Sequence, residues 1–218
     1  EIASLFGIAG LSGNTTGTFP LGTSLAGVSV NVTDSAGTPR AALLYGVYGS
    51  ANQINLVIPA GTALGPAVVS VTLPGGVVIT TAVNVVNIVP GIYAASDTGQ
   101  GIYAGQVTYA HKDGTQTVVQ SGSFNGASFS PIPINLSTPG DQVYLVLYAT
   151  GLRHGASLTA AVNGAAIPVA FFGAQSVNPG LDQINLGPLP ASLAGAGQAN
   201  IVVTVDGQAA NTVTVSFQ

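Results

Sequence analysis

Apolar and polar residues alternate with a period of two along most of the chain, and no segment holds a helical period for three turns. The stretch 27–33 is the clearest case, with Val28, Val30 and Val32 on one face and Ser29, Asn31 and Thr33 on the other. Successive strand residues point to opposite faces, so this pattern predicts a strand buried on one side. The same reading predicts strands at 41–45, 53–58, 67–73, 77–86, 106–110, 115–120, 142–148, 157–162, 167–172, 182–186, 199–205 and 212–217. Between them lie turn signals: Ser35-Ala36-Gly37, Pro74-Gly75-Gly76, Asp113-Gly114, Asn163-Gly164 and Asp206-Gly207. Asn-Gly and Asp-Gly pairs supply the positive φ angles of tight hairpins. Short strands at this spacing predict antiparallel sandwiches, not a parallel α/β sheet.

An internal repeat organises these strands. Asn52-Gln53-Ile54-Asn55-Leu56 returns 130 residues later as Asp182-Gln183-Ile184-Asn185-Leu186. Upstream of each copy stands an apolar strand, Ala42–Gly46 in one and Ala170–Gly173 in the other, and downstream a Pro-containing turn and two alternating strands. Further upstream, residues 2–7 resemble 143–149, each leading to a Gly-Leu pair, Gly10-Leu11 and Gly151-Leu152. Four matched elements in one order predict an all-β chain of two tandem antiparallel immunoglobulin-like β-sandwich domains, 1–89 and 90–218, with the junction near Val89-Pro90-Gly91. The second copy carries an extra stretch, 92–139, that includes the Asp113-Gly114 hairpin. The first opens directly on residues 2–6, which predicts a sandwich without its first strand and an edge of unpaired backbone groups. Glu1, Ile2, Ala3, Ser4, Leu5 and Phe6 are therefore the candidate intersubunit strand, with a neighbouring subunit or a preceding segment filling the gap.

Composition narrows the function. Hydrophobic residues make up 47% of the 218 and charged residues only 5%, against about 25% in ordinary globular proteins. Arg40, Lys112 and Arg153 are the only basic residues besides two histidines, and the net charge is −4. Three cations give no electrostatic footprint for nucleic acid or for an anionic membrane surface. No apolar run approaches the ~18 residues of a spanning helix. A neutral surface rich in hydroxyls and amides offers little repulsion between copies. Cysteine and methionine are both absent, which removes the most readily oxidised side chains and suits a durable extracellular material. The abrupt start at Glu1, with no leader in view, predicts processing or trimming.

The order "IASLFG", "GVSVNV", "AALLYG", "NQINLVIP", "VVSVTLPGG", "VNVVNIVPGIY", then "STPGDQVYLVLYATGL", "VNGAAIPVAFFG", "LDQINLGPLP" and "NIVVTVDGQAANTVTVSF" resembles an uncharacterised C-terminal domain of large secreted acidobacterial proteins. Each half also resembles immunoglobulin-like domains of the IPT/TIG type. The likeness covers nearly the whole chain and is most specific at the paired QIN motifs, at "PGIY" and at "PGDQVYLVLYATGL". It implies an extracellular or cell-surface β-sandwich with no known catalytic residues, and it supplies no ligand. The chain departs from the pattern in lacking the usual strand before Glu1.

Candidate chemistry is sparse. Paired carboxylates for acid–base work need two acidic groups facing one cleft. Asp182 and Asp206 are best placed by sequence, but Asp206 sits in a hairpin turn and Asp182 takes the position of Asn52, a capping or turn role; Asp34 and Asp113 also lie in turns. A Ser-His-Asp arrangement would need His111, beside a hairpin tip, or His154, in a Gly-rich loop, and neither has a nucleophile elbow. Two scattered histidines and no Asp-x-Asp run predict no metal or other cofactor. The Gln and Asn of each QIN motif are expected to bond neighbouring backbone. Tyr48, Tyr103 and Tyr109 are the candidate exposed aromatics for a carbohydrate platform. These readings together predict a non-enzymatic extracellular structural module that assembles with itself or with neighbouring surface proteins, or else an adhesive module that binds glycans.

Overall fold

A computed structural model describes residues 1–218. The chain gathers into two compact units, Glu1–Asn87 and Ile88–Gln218, each with its own apolar core.

Unit 1 contains β1 (Ile2–Leu5), β2 (Asn14–Thr16), β3 (Ser24–Leu25), β4 (Val28–Thr33), β5 (Pro39–Ala41), β6 (Leu43–Tyr48), β7 (Gln53–Val57), β8 (Gly65–Thr72) and β9 (Val78–Val85). One antiparallel sheet runs β1-β7-β6-β2; the other runs β3-β4-β8-β9, with β5 also on β4. Alternation places Val28, Val30 and Val32 of β4, Ile54 and Leu56 of β7, and Val69 and Val71 of β8 in the core between the sheets. The outermost strands are β1 and β2 in the first sheet and β3 and β9 in the second.

Unit 2 contains β10 (Gly91–Ile92), β11 (Gly105–Ala110), β12 (Gln116–Gln120), β13 (Gly122–Phe124), β14 (Phe129–Pro131), β15 (Gln142–Thr150), β16 (Leu158–Val162), β17 (Ala165–Ile167), β18 (Val169–Ala174), β19 (Asp182–Leu186), β20 (Gly197–Val205), β21 (Gln208–Ala209) and β22 (Val213–Phe217). One sheet runs β12-β11-β15-β19-β18, with β10 also on β15. The facing sheet runs β17-β16-β20-β21, with β22 also on β20, and β13-β14 stand apart as a two-stranded hairpin. The turn signals act as expected at Asn163-Gly164 and Asp206-Gly207, where all four φ angles are positive and two-residue turns join Val162 to Ala165 and Val205 to Gln208.

The repeat is visible in the pairing. β1-β7-β6 in unit 1 matches β15-β19-β18 in unit 2, with Leu5 opposite Ile54 and Leu147 opposite Ile184. Likewise β4-β8-β9 matches β16-β20-β22, with Ala67 opposite Val83 and Ala199 opposite Val215. In both units Ile of QIN is buried while Gln and Asn lie on the outer face.

The extra stretch of unit 2 makes the difference between the copies. β11 pairs along the outer side of β15, from Gly105 opposite Leu147 to Ala110 opposite Gln142. The strap 101–103 and Ile134 then run parallel to β22 and bond its backbone. Thus β15 and β22, the counterparts of β1 and β9, are each paired on a further side in unit 2.

Candidate functional site

The carboxylates singled out in the sequence work as loop anchors. Asp182 is fully buried; its Oδ2 accepts from the backbone N–H of Leu152 at 2.9 Å and of Arg153 at 3.2 Å, and its Oδ1 from Arg153 Nε at 2.6 Å. Arg153 also donates to the Leu181 carbonyl at 2.8 Å, so one ion pair fastens the 151–153 loop to the start of β19. Asp206 accepts from the backbone N–H groups of Ala156 and Ser157 and from the Ser157 hydroxyl. The Ala156 N–H first, then the two Ser157 donors, hold its carboxyl below the ordinary aspartate value. Asp182 and Asp206 thus pin the two ends of one connection, the loop between β15 and β16, Asp182 at Leu152–Arg153 and Asp206 at Ala156–Ser157.

Asp34 does more than its turn position predicts. It is buried, accepting from the N–H groups of Ala36, Thr38 and Ala63, with Arg40 Nε at 3.4 Å. These donors, Ala63 foremost, lower its pKa against the opposing effect of burial. Asp113 is lowered chiefly by the Thr115 hydroxyl, within its own turn. No spacing rule in the sequence links Asp34 to residue 63, so only the fold discloses this contact.

His111 is better connected than a solvated loop residue. Its Nδ1 lies 2.7 Å from Asp141 Oδ2 and its Nε2 2.8 Å from Thr117 Oγ1. A carboxylate only accepts, so in the neutral ring Nδ1–H donates to Asp141 and Nε2 accepts from Thr117. The line has the connectivity of a hydroxyl nucleophile, base and orienting acid. The small cavity that Asp141 borders, about 70 Å³ between Asn135 and Ala191, includes neither His111 nor Thr117. Ligand pockets are typically ~300–1,000 Å³. What the trio visibly does is tie the β11–β12 hairpin to the turn before β15. Nowhere do three His, Asp or Glu side chains gather as a metal-binding group.

The two QIN motifs correct one expectation. Their amides bond each other, not backbone: Gln53 Nε2 donates to Asn55 Oδ1 at 2.7 Å and Gln183 Nε2 to Asn185 Oδ1 at 2.8 Å. Residues two apart share a strand face, and the longer Gln reaches back to its neighbour. Ser4 adds a second donor to Asn55, across from β1.

The tyrosine platform is also corrected. Tyr103 is fully buried, donating its hydroxyl to the Gln106 carbonyl at 3.1 Å, because the strap that carries it closes over β22. Burial drives its pKa far upward. Tyr109 packs partly on the core and accepts from the Asn135 N–H, and Tyr48 folds back against Gly46. The exposed aromatic pair lies elsewhere, at Phe124 and Phe129 on the β13–β14 hairpin, with ring centroids 5.4 Å apart. They border an open groove of about 610 Å³ together with Ala95, Ser96, Asp97 and Ile102. Asn125-Gly126 within "SFNGASFS" is a hairpin signal of the kind seen at Asn163-Gly164, but the strands on either side are three residues long, too short to show a period.

Glu1–Phe6, the candidate intersubunit strand, is placed as follows. Ile2–Leu5 pairs within its own sheet, Ile2 opposite Val57 through Leu5 opposite Ile54, and forms that sheet's outermost strand. Phe6 beyond it is exposed.

No protein-family model matches the chain, and no curated protein matches it. Among solved structures, the crystal structure of invasin, described as a bacterial integrin-binding protein, matches at 18% identity and a TM-score of 0.23. That alignment covers 100% of this chain and 39% of invasin, so the chain spans about two fifths of its length. At that TM-score the likeness carries no argument. The chain's own sheets define its class: an all-β protein of two tandem antiparallel immunoglobulin-like sandwiches.

Proposed function

We propose that this chain is a non-enzymatic extracellular structural module that assembles with copies of itself by adding strands to the open edges of unit 1. One observation carries the reading: β9 is an outermost strand of its sheet, eight residues long with neither charge nor proline, and the matching strand β22 of unit 2 bonds the backbone of a strap along that same edge. Uncovered strand edges are templates for pairing with another chain, and soluble proteins ordinarily blunt them with charge, proline or a bulge. Here nothing blunts β9, since no charged residue lies between Arg40 and Asp97. Strand addition uses backbone hydrogen bonds for affinity and alternate side chains for specificity. Ile2–Leu5 is held by β7 within its own sheet. The resemblance to secreted acidobacterial domains and a composition with neither cysteine nor methionine support a secreted location.

Electron microscopy of the purified protein at neutral pH, with sedimentation of the same sample, tests this. Regular fibres are the expected result, and a monodisperse monomer up to high concentration would overturn it.

The Phe124–Phe129 groove favours a second reading, an adhesive module that binds glycans. Exposed rings flanked by Ser96, Asp97 and Ser128 combine a stacking face with hydroxyl and carboxylate partners. Glycan-array binding lost on Phe124→Ala would support it; an array blank at millimolar protein would remove it.

A further inference from the structure

The loop after Ala95 and the β13–β14 hairpin meet beside Ile102. A bridge between Ala94 and Tyr103 closes the loop, and the Ala95 N–H donates to the Ile102 carbonyl at 2.8 Å. Gly122, at the base of the hairpin, lies against the same residue: a Cβ there would come 3.6 Å from Ile102 Cδ1. To the groove they share, the hairpin contributes Phe124 and Phe129, 59% and 41% exposed with ring planes inclined at 38°, and the loop contributes Asp97.

The polar groups around this groove are unequal. Ser96 Oγ lies 2.8 Å from Thr98 Oγ1 and 2.9 Å from the Gln100 carbonyl, and Ser128 Oγ lies 3.4 Å from Asn125 Nδ2, so both hydroxyls are engaged within their own turns. Asp34, Asp113, Asp141, Asp182 and Asp206 each accept from a partner in the chain. The exposed Asp97 carboxylate accepts from none. A carboxylate only accepts, so it selects a donor, and a charged donor most strongly. The ring faces carry the negative side of their quadrupoles and attract a cation as well. No basic residue borders the groove, and the chain has a net charge of −4. Carboxylate, ring faces and net charge therefore favour one kind of group, an organic ammonium. A neutral sugar hydroxyl can also donate to Asp97, but it gains nothing from the charge.

We propose that this groove takes an amino sugar whose amine is free, with the C–H face of the sugar ring on Phe124 and Phe129 and the ammonium donating to Asp97. This rests on the adhesive reading above and names the class of glycan. Two rings with centroids 5.4 Å apart offer a platform wider than an ammonium alone needs, which favours a sugar ring over a lysine side chain.

The test titrates the full chain, by calorimetry, with a short glucosamine oligomer and with its fully N-acetylated counterpart of equal length. At about pH 5.5 aspartate is ionised and an amine is protonated. Expected is binding of the free-amine oligomer about three- to thirty-fold tighter than of the acetylated one, the range that an exposed ion pair and a cation–π contact allow together. Asp97→Asn should erase that difference, and asparagine tolerates the positive φ at this position. Phe124→Leu with Phe129→Leu should weaken both oligomers. Equal affinities, lost in the leucine variant, would overturn the free amine and leave the glycan reading standing. No binding of either oligomer would overturn the site, and a blank glycan array besides would remove the glycan reading with it. A lysine oligomer that binds as tightly, and that Asp97→Asn weakens equally, would overturn the sugar as occupant. Should a variant misfold by circular dichroism, the Asp97, Phe124 and Phe129 NMR signals of the parent are followed during the titration instead. Shifts at all three are expected, and none moving would overturn the site.

Discussion

Asp182 has no accessible surface, yet three N–H donors converge on its carboxylate, two from backbone and one from Arg153. Removing one partner of a buried pair costs roughly 3–5 kcal/mol, because the other groups lose a partner they cannot replace. Arg153 is 25% exposed and can turn toward water, which places Asp182→Ala near the low end, about 3 kcal/mol by urea denaturation. Asp34 and Asp206 supply a pH prediction. Their folded pKa values lie below the ordinary 3.8, so the unfolded chain binds protons first on acidification. Their stabilisation is complete above that value and is lost as pH falls through the folded values. Urea midpoints should therefore be flat near neutrality and drop below about pH 4, with a shallower drop in Asp206→Asn. For the His111 trio, His111→Ala should loosen the β11–β12 hairpin in hydrogen exchange and leave hydrolysis of activated esters at the background rate.

At the scale of elements, the strand edges decide behaviour. Thr81→Lys and Val83→Lys touch exposed positions, and such changes usually stay within about 0.5 kcal/mol. Solubility should rise while the thermal midpoint holds, measured by turbidity and calorimetry on one sample. Gly151, in the Gly-Leu pair of the repeat, behaves differently. Its φ is +69°, and an added Cβ would collide with the Val89 carbonyl, the residue whose N–H donates to the Gly151 carbonyl at 2.9 Å. Gly151→Ala should therefore lower the thermal midpoint clearly, in contrast to the same change at open Gly164 only by the added clash, since both glycines have positive φ.

For the molecule as a whole, scarcity of charge shapes the expected assembly. Contacts made by backbone pairing and apolar side chains are little screened by salt, whereas contacts between charged surfaces weaken over a Debye length of about 10 Å at 0.1 M. Raising sodium chloride from about 50 mM to about 500 mM should leave the sedimenting fraction unchanged or increase it. Dissolution on added salt would point to ion pairs, for which the chain has few candidates: Arg40–Asp34 and Arg153–Asp182 are already committed within their own units.

Much of the architecture was legible from period-two alternation and a repeated motif. Strand 182–186 was placed to the residue, and most others within two, because a sandwich strand buried on one face must alternate. Strands of two or three residues, such as Asn14–Thr16 and the β13–β14 hairpin, were missed, since alternation needs more positions than they contain. The thirteen predicted segments and the QIN repeat depend on local spacing, which a linear sequence records. Burial of Tyr103, the grip of Asp34 on Ala63 and the Thr117–His111–Asp141 line join residues that no period relates. The differing burial of Val83 and Val215 is likewise a tertiary property: the two hold matching positions in the repeat, yet Val83 is exposed and Val215, beneath the strap over β22, is buried.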